Sequence, residues 1–134
     1  MRFFPSRRKF NSLNYDQNRF FRKNGVYYGF EEEGHTGYGE AGDDVLCAAL
    51  SAMTMLIVNT VEVGYASDVE YDVNEGATKI KVRSRAALPE YEEDERKRYA
   101  VSGLFCSYFH QLIELEEEYY KFLSIKVVDK DYDE

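Results

Sequence analysis

The chain has no Trp and only two Cys, two His and two Pro in 134 residues, and these shortages exclude several classes of protein. Two cysteines, neither in a CxxC pair, build no disulfide framework and fit a reducing cytoplasm. Two His and two Cys without finger-like spacing supply no zinc site, so neither a metal nor a cofactor is expected. The most apolar stretch, Val45 to Val58, includes Ser51 and Thr54. It falls short of the roughly 17–25 residues a membrane span needs, so it reads as a buried helix and no membrane is expected. Basic charge is scarce beyond the front of the chain. Residues 1–30 carry seven Lys or Arg against one Asp (+6), so with a net charge of −8 the remaining 104 residues carry −14. Such a body repels nucleic acid, whose binding rests on neutralised phosphates, and suits a basic peptide or protein instead. Solubility alone is the blander account of the same acidity.

What is present is bulk: 12 Tyr, 9 Phe and 44% hydrophobic residues, enough for the core of one globular domain. Residues 1–16 are basic and polar without a period, and read as a disordered extension before a single domain over 17–130. Arg19–Lys23 and Val26–Phe30 flank Asn24-Gly25, a hairpin signal because Asn-Gly accepts the positive φ angles of a tight turn. The alternation of Val26, Tyr28 and Phe30 predicts that these three share one buried face. A helix is predicted over about 44–62. Val69–Val73 and Thr78–Arg83 alternate on either side of a short turn and predict a second hairpin. Leu88-Pro89 opens a second helical stretch. There Val101, Leu104, Phe105, Tyr108, Leu112, Leu115 and Tyr119 recur at three- and four-residue steps. Ser124–Val128 adds a short strand, and the acidic residues after it read as frayed. The order ββαββα predicts an α+β fold, a two-layer sandwich in which an antiparallel sheet is covered on one face by two helices.

The chemistry concentrates in Gly34-His35-Thr36-Gly37-Tyr38-Gly39-Glu40-Ala41-Gly42-Asp43-Asp44-Val45-Leu46-Cys47. With Asp43 or Asp44 as N-cap, Cys47 falls in the first helical turn, where the dipole and free N–H groups favour a thiolate. A glycine-rich loop (Gly34, Gly37, Gly39, Gly42) brings His35 back towards that thiol, and a Cys with a His is the usual nucleophilic pair. The alternative is a small core residue beside Ala48 and Ala49, and the residues alone leave the two readings level. Gly37 to Gly42 also matches GxGxxG, but Asp43 and Asp44 at the helix start would repel a pyrophosphate. Cys106 and His110 share a face of the second helix, mid-helix, where the dipole does nothing for a thiol. They read as structural. Asp44 reads first as a cap. A carboxylate so close would raise the thiol pKa unless it orients the His instead. Ser51, one turn after Cys47, either donates into the site or faces the sheet.

The run Gly34-His35, Gly37-Tyr38, Gly42, Asp44-Val45-Leu46-Cys47-Ala48-Ala49 and Ser51 resembles the signature of the ribosomal-processing cysteine protease (Prp) family. The likeness extends over about Phe20 to Val128. It implies a small α+β homodimer in which His35 is the general base, Cys47 the nucleophile, and Asp44 and Ser51 shape the site. It further implies a cytoplasmic protease that trims the basic N-terminal extension of one large-subunit ribosomal protein, the twenty-seventh, during ribosome biogenesis. Family members usually begin close to the first strand, so residues 1–16 depart from the pattern. The competing class is a non-catalytic acidic binding module for a basic ribosomal protein.

Overall fold

The computed structural model describes residues 16–34, 41–74, 76 and 78–134, with backbone alone over 41–44. Strands β1 (Asp16–Lys23) and β2 (Val26–Glu33) form the first hairpin, with Asn24 at φ 51° and Gly25 at φ 80°, the positive angles the turn demands. Helix α1 (Ala41–Asn59) runs on through a π-helical turn, Thr60–Gly64. Strands β3 (Glu70–Asn74) and β4 (Lys79–Arg83) make the second hairpin, followed by a 3-10 turn (Arg85–Ala87), helix α2 (Glu95–Glu118) and strand β5 (Leu123–Asp129). The five strands form one sheet in the order β3-β4-β2-β1-β5.

The fold is α+β, with both helices on one face of the sheet. Phe20 and Phe30 pack from the central strands against Phe105 and Tyr108 of α2, at ring separations of 4.8 to 6.1 Å. From α1, Leu46, Leu50, Ile57 and Val58 enter the same core, with Val61 from the π-helical turn. The expected stripe on α2 is buried at Val101, Phe105, Tyr108 and Leu112.

Four local expectations are corrected. The sheet is mixed: β5 runs parallel to β1, from Asp16↔Leu123 to Arg22↔Asp129. A parallel neighbour needs a crossover, and α2 provides one by carrying the chain back across the sheet. Helix α2 begins six residues after Pro89, because the Asp94 carboxylate accepts from the Arg96 N–H and caps the helix there (2.9 Å). Tyr28 does not share a face with Phe30. The register passes from Phe21↔Gly29 to Arg22↔Tyr27, which leaves Tyr28 as the extra residue of a β-bulge. Tyr27 therefore stacks on Phe109 of α2, while Tyr28 stacks on Phe21 on the far face. Gly29 permits this: a Cβ there would stand 2.5 Å from the Val82 carbonyl oxygen. Finally, the C-terminus is not frayed. Tyr132 is buried against Tyr28 under the Arg83 guanidinium, 4.0 Å from its ring, and Arg83 donates to the Tyr132 carbonyl (2.7 Å).

The apolar helix is also longer than expected. Val45–Gly64 is by length and composition long enough to cross a membrane, but its inner residues belong to the core just described. Its outer side remains apolar, with Val45, Met55, Leu56 and Val63 exposed.

Candidate active site

Strand β2 delivers the chain to Gly34, whose φ of 93° suits only glycine and whose N–H donates to the Thr78 carbonyl (3.0 Å). His35, Gly37 and Gly39 lie outside the described residues. Gly42 and Asp44 fall within the first turn of α1, because the helix starts at Ala41, earlier than an Asp43 or Asp44 cap would allow. Cys47 is consequently the seventh helical residue, in the second turn. The dipole effect falls off within the first turn, so that source of thiolate stabilisation is weaker than expected.

The Cys47 side chain points to the sheet and is 4% exposed. Its thiol donates towards the Asp16 carboxylate, Sγ to Oδ2 at 3.9 Å. Asp16, the first residue of β1, is itself buried, and its N–H donates to the Phe122 carbonyl. Ser51 stands exposed one turn along α1. Cys106 is half-buried and lines an open groove on α2 with His110, Gly103 and Ser107, whose lining does not include Cys47. Among the described residues no group of acidic, His and Cys side chains is arranged to hold a metal ion.

Polar residues continue inward from Cys47 along the helix-facing side of the sheet. Asn18, two residues along β1, is buried and lies opposite Glu32 of β2. Glu32 is buried too. The Tyr108 hydroxyl donates to its Oε2 at 2.8 Å and the Thr54 hydroxyl to its Oε1 at 3.4 Å. Burial pushes the Glu32 carboxyl up to about 7, with both hydrogen bonds pulling the other way. Burial, and then the Glu32 charge, hold the Tyr108 hydroxyl well above the usual phenol range.

Sequence reasoning missed Asp16, which sits at the edge of what reads as a disordered extension. It missed Glu32 as well, although the two-residue step from Phe30 places Glu32 on the buried face. The run Glu31-Glu32-Glu33 disguises it as a solvated patch.

Comparison with known proteins decides the family. The model of the family described as cysteine protease Prp matches residues 17–124. The chain belongs to that family. Among solved structures, SMU.848 from Streptococcus mutans superposes with a TM-score of 0.71 at 27% identity, covering 87% of this chain and 99% of that one. The essential ribosomal processing protease Prp from S. aureus, in complex with a substrate peptide, superposes with a TM-score of 0.67 at 17% identity over 84% of this chain and 99% of that one. At that identity the second likeness speaks for the Prp fold. No curated protein matches the chain. Within the Prp match, Cys47 stands on α1 against the sheet, next to a buried carboxylate that the family-like signature does not include.

Proposed function

We infer that this chain is a cysteine endopeptidase that removes the N-terminal extension of a large-subunit ribosomal protein, the twenty-seventh, in the cytoplasm. The observation that carries this reading is the Prp match over 17–124, which contains both His35 and Cys47. The S. aureus Prp structures, one with a substrate peptide and one with a covalently linked product peptide, support it. The −14 carried by residues 31–134 against a net charge of −8 suits a basic substrate tail.

In this reading His35 takes the Cys47 proton and Sγ attacks the scissile carbonyl, forming a C–S bond. Collapse of the tetrahedral adduct expels the amine, which takes its proton from His35. Water, deprotonated by His35, then splits the thioester and returns the free thiol. Backbone N–H groups of the first turn of α1 stabilise the oxyanion, and Asp44 and Ser51 shape the site. Because Cys47 is 4% exposed, whatever covers the sulfur has to move before a peptide reaches it.

The test is incubation with the precursor ribosomal protein and a mass measurement of the product. Cys47→Ala and His35→Ala are each expected to abolish cleavage, whereas Cys106→Ala leaves it intact. A fully active Cys47→Ala protein overturns the assignment. The burial of Cys47 favours the second reading, a non-catalytic acidic module that grips the same basic protein. Iodoacetamide separates the two near neutral pH: a nucleophilic Cys47 labels far faster than Cys106, and equal slow labelling favours the module.

The same reading includes a homodimer. The outer side of α1 presents Val45, Ala48, Ala52, Met55, Leu56 and Val63, an apolar stripe that a second copy would cover. Leu56→Glu is expected to halve the mass seen by light scattering, and an unchanged mass rejects this surface.

A further inference from the structure

Glu32 is a fully buried titratable group that the proposed chemistry does not use. It meets a different element on each side. From α2 it receives the Tyr108 hydroxyl and from α1 the Thr54 hydroxyl. Across β1 lies Asn18, with Asp16 one inward position further along, and across β4 lies the apolar Ile80. Among the described residues the titratable groups on this side are therefore Tyr108, Asp16 and Cys47. Among the described residues no Lys or Arg is paired with Glu32.

Two physical paths connect Glu32 to the thiol. Thr54 and Cys47 are seven residues apart on the buried face of α1, about two turns, so whatever holds Thr54 also sets the seat of Cys47. In β1, Asn18 faces Glu32 and Asp16 contacts Cys47 Sγ. The protonated carboxyl keeps both ties without a net charge: Oε2 accepts from Tyr108, and an O–H on Oε1 donates to Thr54 Oγ1. The carboxylate accepts from both hydroxyls but leaves a net charge in the core with no cation facing it among the described residues, which burial penalises.

We propose that Glu32 is a positioning residue for Cys47: its proton ties α1 to α2 and the sheet, and loss of that proton loosens the helix that carries the thiol. The elevated titration of Glu32, to about 7, places this release near neutrality. The inference rests on Cys47 as the nucleophile for its catalytic meaning, but not for the movement itself.

The test follows α1 amide hydrogen exchange, corrected for its intrinsic pH dependence, from about pH 5 to about pH 9 on the full chain. The wild type is expected to lose α1 protection through about pH 7, with thiolate-corrected iodoacetamide labelling of Cys47 rising in parallel. In Glu32→Gln the amide reproduces the protonated carboxyl, accepting from Tyr108 and donating to Thr54, so both profiles flatten. In Tyr108→Phe the carboxylate loses a hydrogen bond that favours its charged form, and the step moves up by about one pH unit. A wild-type profile without a step, or a Glu32→Gln profile that retains it, overturns the proposal. Cleavage of the precursor without any pH step refutes the role of Glu32. A pH step without cleavage refutes the protease reading.

Discussion

Glu31, Glu32 and Glu33 are consecutive residues of β2, yet the two faces of the sheet treat them in opposite ways. On the face away from the helices, Arg19 lies between Glu31 and Glu33, at 3.0 and 3.1 Å, with Lys79 a further 3.8 Å from Glu31. On the helix-covered face the hydrogen-bond partners of Glu32 among the described residues are neutral hydroxyls. The period of two along a strand decides which residue goes where. What differs is the cost of charge: paired and partly wet on one side, buried among neutral groups of the described residues on the other.

The largest expected effect breaks the buried side. An acid whose folded-state pKa is raised, here from 4.5 to about 7, holds its proton longer when folded than when unfolded. Its contribution to stability is complete below about pH 4.5 and is lost as pH rises through about 7. Denaturant unfolding at the two extremes is expected to show the wild type losing on the order of 3 kcal/mol from this group. Glu32→Gln lacks that loss and is the more stable protein at alkaline pH. Equal pH dependence in both proteins would contradict the assignment.

An intermediate effect is expected at Arg83, on the far side. This guanidinium bonds Glu70 at 2.7 Å, bonds the Tyr132 carbonyl and covers the Tyr132 ring. Arg83→Ala is expected to cost about 1.5–3 kcal/mol, the range for hydrogen bonds to a charged group, and to expose Tyr132 to a fluorescence quencher. The smallest effect is at the partly exposed Arg19. Arg19→Ala is expected to cost about 0.2–1 kcal/mol and to shrink further in high salt. A loss there as large as that at Glu32 would erase the contrast between the faces.

Much of the fold was legible because local chemistry dictates it. Asn24-Gly25 demanded positive φ angles, and the α2 stripe demanded a partner face. The direction of β5 was not legible, since it depends on how α2 crosses the sheet. The bulge at Tyr28 was hidden because Gly29 is required by the approach of the Val82 carbonyl from another strand. In the site, Cys47 was legible as a candidate, but its distance from the helix start depended on residues whose turn chemistry is ambiguous between loop and helix. Asp16 carried no local signal at all, since its burial comes from packing next to β5.

The pairing of β1 with β5 has a consequence for how the chain comes into being. Arg22 and Asp129 are 107 residues apart yet share a rung of the sheet. During synthesis β1 emerges early and waits, one edge unpaired, until β5 has left the exit tunnel. That delay is a long-range closure, slow by topology, and it leaves a strand edge open to other chains in the meantime. Nascent chains truncated before β5 should therefore aggregate where chains that include β5 do not.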